Sequence, residues 1–138
     1  MIFAGGCHCG AVEVRFETRK APRDWIIRAC QCAFCRKVDA LSTSDPDGTI
    51  EFFAHPPDAL HRYRFDSRTA DFLICARCGV YVGATMETPG GRLGIVNVRA
   101  LHPRLDGLPA AQPMNYDGES TAQRTERRQQ RWSPARLS

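Results

Sequence analysis

Three cysteines in the first third of the chain are spaced in a way that could do chemistry. Cys30, Cys32 and Cys35, called the cysteine trio here, place three thiols within six residues, a density that core packing does not require. Zinc binds such sulfurs at about 2.3 Å, and three protein ligands leave a tetrahedral zinc with one open position. Since open positions are typical of catalytic sites, the trio predicts a reactive metal site.

The other four cysteines form two pairs, Cys7 with Cys9 and Cys75 with Cys78. Pairs from distant strands can share one ion in a closed four-thiolate site, which adds on the order of 10 kcal/mol of folding free energy in small domains. The spacings allow more than one partition, because either the first pair or two members of the trio could join Cys75 and Cys78. Joining the first and last pairs is the partition that uses every cysteine and keeps the trio intact.

The number and spacing of the cysteines, together with the composition, limit the class of protein. The odd number of cysteines, seven, their close spacings and the lack of an export signal favour reduced metal ligands over disulfides. No segment approaches the roughly 20 apolar residues of a membrane span, so we expect a cytoplasmic protein with no membrane partner. The net charge of +4 is modest, and much of the excess lies near the C-terminus, so we expect no nucleic-acid partner.

The segments that must position these cysteines are predicted to be mainly strands. Residues 11–17 alternate apolar and charged side chains, and residues 24–29 form a short apolar run that delivers Cys30 to a strand-to-turn junction. Gly5, Gly6 and Gly10 predict turns around the first cysteine pair. Further strands are predicted at residues 49–54, 60–65, 71–74, 80–86 and 92–98, the last two as a hairpin, with Gly79 in a reverse turn after Cys78.

This spacing predicts a single mainly β fold of antiparallel sheets. We expect a zinc-binding domain over residues 1–118 and a basic C-terminal tail or helix over residues 119–138. The one predicted helix is residues 120–132, with Ser120 as its N-cap. Its polarity leaves a frayed or disordered tail as the alternative.

The three cysteine motifs together resemble a known family. In order and spacing they are similar to the glutathione-dependent formaldehyde-activating enzymes, also described as the centromere-protein-V domain family. The resemblance covers roughly residues 3 to 105, uses all seven cysteines, and rests on these motifs: Gly6-Cys7-His8-Cys9-Gly10-Ala11-Val12, Cys30-Gln31-Cys32-Ala33-Phe34-Cys35-Arg36-Lys37 and Cys75-Ala76-Arg77-Cys78-Gly79.

The resemblance implies a fold, a metal content and an activity. The fold is of the Mss4-like type, with antiparallel sheets stapled by zinc knuckles and two zinc ions per chain. The founding activity is the reversible addition of glutathione to formaldehyde, which gives S-hydroxymethylglutathione, and members are described as carbon–sulfur lyases. A small thiol, such as glutathione, is the implied substrate. The implied ligands are Cys7, Cys9, Cys75 and Cys78 for a structural zinc, and Cys30, Cys32 and Cys35 for a catalytic zinc.

The chain departs from the family pattern near the trio. Gln31 stands where histidine is frequent, Ala40 where glycine often follows, and residues 41–45 lack the usual aromatic side chains. These differences keep the metal ligands but leave the substrate open. Arg36 is our candidate substrate contact, because Arg36 and Lys37 could lower thiol pKa values or bind a substrate carboxylate. A solvated turn is the alternative.

Other polar residues have weaker signals. We expect His8 to point away from the metal, and the remaining histidines, His55, His61 and His102, to face solvent. Asp39 and Asp45 are candidate general bases, or serve turn geometry. A solvated basic face is predicted for four residues of the tail: Arg124, Arg127, Arg128 and Arg131.

Two other functions remain open from the sequence. The first is a non-catalytic zinc-stabilised β module that binds a macromolecular partner through the basic tail, with salt-sensitive affinity. The second is a redox or metal-buffering protein in which the trio forms disulfides.

Overall fold

Strands form the frame of the molecule, which we describe from a computed structural model of residues 1–102 and 105–138. Within these residues there are two α-helices, α1 (Ala33–Lys37) and α2 (Thr121–Arg131), and short 3-10 turns at Pro22–Asp24, Pro57–Ala59 and Val98–Ala100. The same residues contain eleven strands: β1 (Ile2–Gly6), β2 (Val12–Glu17), β3 (Arg28–Cys30), β4 (Ser42–Thr43), β5 (Thr49–Ala54), β6 (Leu60–Tyr63), β7 (Asp71–Cys75), β8 (Tyr81–Thr88), β9 (Gly91–Asn97), β10 (Gln112–Met114) and β11 (Ser133–Leu137).

The strands form one mixed sheet in which β11 is a central member. Its main path runs β1-β2-β5-β11-β9-β4-β3-β10, and β8, β7 and β6 extend in turn from β9. Pairing is mostly antiparallel, as predicted, but β11 lies parallel to β5 and β10 parallel to β3. Because β11 pairs with β5 through Ala135–Leu137 and with β9 through Ser133–Pro134, the end of the chain joins the two halves of the sheet.

Alternating side chains explain why the predicted strands form. In β2, Val12, Val14 and Phe16 are buried whereas the intervening charged residues are exposed. They pack against Ile50 and Phe52 of β5 in the main core. Each such side chain contributes about 1.5–3 kcal/mol when it is fully buried. The strand predictions at residues 11–17, 49–54, 60–65 and 71–74 and the β8–β9 hairpin are confirmed.

The glycines near the N-terminus have different roles from those predicted. Gly5 and Gly6 lie in β1 rather than in a turn. A Cβ at Gly5 would lie 2.0 Å from the carbonyl oxygen of Ala100, so close backbone packing requires glycine there. Gly10 does lie in the turn, and the predicted turn at Gly79 is confirmed by its φ of 80° and by its amide, which donates to the Cys75 carbonyl at 2.9 Å.

Several short elements were not predicted. The strand expected at residues 24–29 is shorter and later, at Arg28–Cys30, because Pro22–Asp24 forms a 3-10 turn. The segment after Cys32 is the helix α1, so the expectation of a single helix, at residues 120–132, is wrong. Strands β1, β4, β10 and β11 were also missed, because they are short or lack clear alternation.

The predicted C-terminal helix is confirmed. Ser120 is its N-cap and forms a capping box with Gln123: the Gln123 amide donates to Ser120 Oγ at 3.1 Å, and the Ser120 amide donates to Gln123 Oε1 at 2.9 Å. The alternative of a frayed tail is therefore wrong. Among the described residues, no helix has the length and apolar character needed to cross a membrane.

Candidate metal centres and the adjoining cavity

Four cysteines from two hairpin turns meet at one point, and we call them the cysteine quartet. Cys7 and Cys9 lie between β1 and β2, while Cys75 ends β7 and Cys78 lies in the turn to β8. Their sulfurs all lie within 4.8 Å of one another. Cys9 Sγ is 3.7 Å from Cys7 Sγ and 3.6 Å from Cys75 Sγ.

The quartet has the dimensions of a four-thiolate zinc site. Zinc–sulfur bonds of about 2.3 Å in a tetrahedron separate the sulfurs by about 3.8 Å, close to both measured distances. Backbone amides also point at the sulfurs: Val12 donates to Cys7 Sγ at 3.2 Å, and Arg77 and Cys78 each donate to Cys75 Sγ at 3.4 Å. Such bonds favour thiolates, the form of cysteine that binds metal.

The cysteine trio lies at the junction between β3 and α1. Cys30 ends β3, Cys32 is the N-cap of α1, and Cys35 lies within the helix. The Cys35 amide donates to Cys32 Sγ at 3.4 Å, so the cap itself holds the second sulfur in place. All three sulfurs lie within 4.8 Å of one another, and among the described residues no other cysteine, histidine or carboxylate joins the group.

Hydrogen bonding among the three sulfurs shifts their pKa values in different directions. Hydrogen bonds from Cys30 and then from Cys35 lower the pKa of Cys32 to about 2. The hydrogen bond with Cys32 raises the pKa of Cys30, and hydrogen bonds with Cys30 and Cys32 raise the pKa of Cys35. The spacing of the three sulfurs fits zinc with a fourth coordination position left for a ligand.

Aromatic rings pack behind the trio. The Phe34 ring lies 5.1 to 5.8 Å, between ring centroids, from four others: Tyr63, Phe65, Phe72 and Tyr81. Tyr81 is 4% exposed and packs with Cys35, and its hydroxyl has no hydrogen-bond partner among the described residues. Burial raises the pKa of Tyr81 well above its ordinary value, which keeps the hydroxyl a proton donor.

A cavity opens beside the trio, and all three of its cysteines line it. The cavity and the open solvent at its mouth together occupy about 900 Å³, and Phe65, Phe72 and Trp132 form the apolar wall. The cavity is also cationic, because five arginines line it: Arg28, Arg124, Arg127, Arg128 and Arg131. A thiol bound at the trio would therefore extend into a space that is partly apolar and strongly cationic.

The solvated basic face predicted for the tail is wrong for three of its four arginines. The side chains of Arg124 and Arg127 are 13% and 14% exposed, and Arg128 is 7% exposed as a whole residue. Burial and then repulsion from Arg127 lower the pKa of Arg128 to about 10. The physical reason is β11, which continues from α2 into the sheet and holds the helix against the cavity.

Comparison with known proteins agrees with the three cysteine motifs. A family model described as glutathione-dependent formaldehyde-activating enzyme matches residues 2–114, which is more than half of the chain. The chain belongs to this family. The matched residues of the formaldehyde-activating domain include all seven cysteines, whereas α2 and β11 lie beyond them. The arginines of α2 are therefore a feature of this chain that the family match does not cover.

A solved structure supports the fold of the formaldehyde-activating domain. The crystal structure of a protein from Rhodobacter sphaeroides, a structural genomics target, is 28% identical to this chain. The match covers 80% of this chain and 99% of that one, with a TM-score of 0.55.

The structure groups the predicted metal ligands but places the other predicted residues elsewhere. Arg36 and Lys37 are exposed, and neither lines the cavity, so the role of Arg36 as a substrate contact stays a prediction. All four histidines are exposed and lie outside both cysteine groups, as expected.

The two candidate general bases also lie away from the cavity lining. Asp39 is exposed and pairs with Arg99 at 2.9 Å. Asp45 is buried, accepts hydrogen bonds from the Thr18 hydroxyl and, at 3.0 Å, from the Asp47 amide, and so serves the geometry of its turn.

Arg28, Tyr81 and the α2 arginines were missed as site residues. One signal was available for Arg28, since it is a charged residue in an apolar run two positions before Cys30. For Tyr81 and α2 the sequence gives no local signal, because their position at the site depends on pairing between distant strands.

Proposed function

We propose that this protein is a zinc-dependent carbon–sulfur lyase that adds a small thiol to formaldehyde and cleaves the resulting adduct. The observation that carries the proposal is the trio, three sulfurs within 4.8 Å of one another that all line one cavity. The quartet, formed by two hairpin turns and remote in sequence from the trio, would hold a structural zinc. The trio would thus serve catalysis, and the quartet would stabilise the fold.

The residues present fit this chemistry. Cys30, Cys32 and Cys35 would hold the catalytic zinc, which when bound supplies a Lewis acid that keeps an incoming sulfur as thiolate near neutral pH. Phe65 and Phe72 exclude water from one side of the cavity. Tyr81 packs with Cys35, and its buried hydroxyl has no hydrogen-bond partner among the described residues.

The reaction needs no oxidant or reductant. The thiol loses its proton, its sulfur forms a bond to the carbonyl carbon, and the electron pair of the C=O π bond accepts a proton on oxygen. In the reverse direction the hydroxymethyl group loses that proton, the C–S bond breaks, and the thiolate leaves. Both directions therefore depend on stabilising a thiolate in the cavity.

Metal content and exchange kinetics test the proposal together. We expect two zinc ions per purified chain, and we expect wild-type protein to accelerate exchange between glutathione and S-hydroxymethylglutathione, measured by NMR exchange spectroscopy with formaldehyde present. Cys32→Ala should lose one zinc, keep its circular dichroism spectrum and return exchange to the uncatalysed rate. Ala33→Ser, an exposed neighbour that is not a ligand, is the matched control and should keep both zinc ions and the activity.

Two outcomes would contradict the proposal. If Cys32→Ala loses both zinc ions, the trio and quartet do not bind separate metals. If the wild type with two zinc ions leaves the exchange rate unchanged, the trio does not catalyse this reaction.

The macromolecule-binding alternative loses its expected surface. It depends on a basic face of the tail, but Arg124, Arg127 and Arg128 are largely buried against the cavity. The redox alternative is tested by thiol titration with and without a chelator, since disulfide formation in the trio would remove thiols only when metal is absent.

A further inference from the structure

The loop between β6 and β7, residues 64–70, forms part of the cavity wall. Four of its residues line the cavity together with the cysteine trio: Phe65, Asp66, Ser67 and Ala70. Arginines of α2 line the same cavity, so the loop and the helix meet there.

The two ends of this loop are anchored by apolar contacts. The Phe65 ring lies 4.6 Å, between ring centroids, from the Phe72 ring of β7. Ala70 is 4% exposed and belongs to a hydrophobic cluster with Trp132. Residues 66–69 lie between these anchors, and we call them the loop tip.

The loop tip has little backbone support. Within the described residues, it makes one backbone–backbone hydrogen bond, from the Arg68 amide to the Phe65 carbonyl at 2.9 Å. All four tip residues are exposed or half-buried, and the hydrophobic clusters of the described chain contain none of them. Segments with exposed backbone and few apolar contacts open more readily than core strands.

Two of the four tip residues have a backbone conformation that L-amino acids disfavour. The φ angle is 55° at Asp66 and 58° at Arg68, and only one other non-glycine residue among those described, Asp39, has a positive φ. Such conformations persist where neighbouring groups hold them, and they are found at switch regions. The conformation of the tip therefore depends on contacts from outside the loop.

Those contacts come from two arginines of α2. Arg124 Nη1 lies 2.9 Å from Asp66 Oδ2 and donates to Ser67 Oγ at 3.2 Å. Arg128 Nη1 donates to Thr69 Oγ1 at 2.9 Å. We call these three side-chain contacts the latch. In the part of the chain that the structure describes, no backbone–backbone hydrogen bond joins the tip to α2.

The helix side of the latch is fixed, whereas the loop side is not. Helix α2 continues into β11, which pairs with both β5 and β9. The side chain of Arg124 is 13% exposed, but that of Asp66 is 69% exposed. An ion pair so open to solvent is weak and is screened by salt. Breaking the latch therefore releases the tip rather than the helix.

We propose that the loop tip is a gate to the cavity, closed by the latch, whose opening sets the rate at which a ligand reaches the cysteine trio. When Asp66 and Ser67 leave Arg124, the part of the wall that they form moves away from the helix. The gate depends on the proposed function only for the identity of the ligand that passes it. Since α2 lies beyond the residues that the family model matches, the latch is a feature of this chain.

A fixed wall is the competing explanation for these contacts. If the tip never leaves α2, loss of a latch contact changes the stability of the fold or the affinity for a ligand, but not the rate of entry. A gate that is mostly closed both with and without ligand behaves differently. A weaker latch then raises the entry and exit rate constants by the same factor and leaves the dissociation constant unchanged.

Stopped-flow absorbance tests the gate with protein whose trio is loaded with cobalt and with imidazole as the ligand. Imidazole is mostly neutral at about pH 8.5 and contains no sulfur, so its entry depends neither on the charge of Asp66 nor on thiol chemistry. We expect Asp66→Asn and Thr69→Val each to raise both rate constants about threefold, because each removes one latch contact of modest strength. Asp58→Asn, at an exposed carboxylate outside the cavity lining, is the matched control and should change neither.

Salt dependence separates the ion pair from the rest of the latch. Screening weakens an exposed ion pair, so raising the ionic strength from about 0.05 M to about 0.5 M should speed imidazole entry into the wild type and into Thr69→Val. Asp66→Asn lacks the ion pair and should show no such increase.

Amide hydrogen exchange tests the gate in zinc-loaded protein without any ligand. We expect the amides of residues 66–69 to exchange about threefold faster in Asp66→Asn and in Thr69→Val than in the wild type. The amides of β6 and β7 should keep their rates, since the anchors at Phe65 and Ala70 remain in place.

The outcomes separate the gate from the proposed function. Unchanged amide exchange of the tip in both variants, or an altered affinity for imidazole at an unchanged entry rate, would overturn the gate. If both variants speed imidazole entry while the wild type does not accelerate thiol exchange, the gate stands and the proposed function fails. If the wild type catalyses thiol exchange but both variants keep its imidazole entry rate, the proposed function stands and the gate is rejected. If imidazole leaves the cobalt spectrum unchanged, amide exchange alone decides.

Discussion

Ser133 and Asp45 are joined by two reciprocal hydrogen bonds across 88 positions of sequence. The Asp45 amide donates to Ser133 Oγ at 2.8 Å, and Ser133 Oγ donates to the Asp45 carbonyl at 2.7 Å. Next to this pair, the Ser44 hydroxyl donates to the carbonyl of Arg131 at 2.6 Å. These bonds fix the end of α2 to the turn before β5, and they thereby set the position of Arg128 at the cavity.

We expect Ser133→Ala to lower the free energy of unfolding by about 2 kcal/mol, because it leaves a buried amide and a buried carbonyl without their partner. Urea unfolding of the zinc-loaded protein measures the change. Ser138→Ala is the matched control, since its exposed hydroxyl makes one bond of 3.3 Å to Glu51, and it should stay within about 0.5 kcal/mol of the wild type. Equal stability of the two variants would show that the Ser133 bonds do not hold the C-terminal segment.

The strands and the metal ligands could be read from the sequence because their signals are local. The alternation in β2 and β5 follows directly from one buried face, and close cysteine spacings need little backbone between ligands. The assignment of Cys7 and Cys9 to Cys75 and Cys78 needed the family resemblance, because spacing alone permits other partitions. The geometric grouping agrees with that assignment.

The role of the C-terminal segment could not be read in this way. The polar sequence of α2 predicts a helix but not which face is covered, and β11 carries Pro134 and an Arg136 that suggest a tail. Its pairing with Ile50–Phe52 of β5 is a contact between distant parts of the chain. Because of that contact, the basic helix α2 lies against the sheet and its arginines line the cavity.

The ion pairs of Glu119 predict a pH-dependent contribution from α2. Hydrogen bonding from Arg127 lowers the pKa of Glu119. A group with a lowered folded pKa stabilises the fold above its unfolded pKa, about 4.3 for glutamate, and this contribution is lost as the pH falls through the folded value. We expect Glu119→Gln to lose about 1 kcal/mol of stability at pH 7, and this difference to shrink below about pH 4.3.

Urea unfolding from pH 7 down to pH 3 measures this effect. Glu126→Gln changes an exposed glutamate of the same helix and should show no such dependence. A constant difference between wild type and Glu119→Gln across the whole range would rule out the ion pair as its source.

The unpartnered hydroxyl of Tyr81 predicts an unusual effect on stability. Burying a hydroxyl without a hydrogen bond costs about 1–3 kcal/mol. Tyr81→Phe should therefore leave the stability of the zinc-loaded protein unchanged or raise it by about 1 kcal/mol, whereas Tyr63→Phe, at a residue 43% exposed, should have no effect. Thermal unfolding measures both variants. A fall in melting temperature for Tyr81→Phe would instead mean that the hydroxyl donates a hydrogen bond when metal is bound to the trio.

The two cysteine groups should differ in what they contribute to the fold. The quartet joins two hairpin turns, with Cys9 and Cys75 66 positions apart, whereas the trio lies within one strand-to-helix junction. A metal that closes a long loop removes more freedom from the unfolded chain than one bound within a short segment. We expect Cys75→Ala to lower stability by about 3 kcal/mol more than Cys35→Ala.

The two cysteines are 1% and 5% exposed, so lost packing is nearly matched, and calorimetry with zinc analysis of each variant checks the comparison. Equal losses would mean that both metals stabilise the fold alike, and a larger loss for Cys35→Ala would reverse the assignment of structural and catalytic sites.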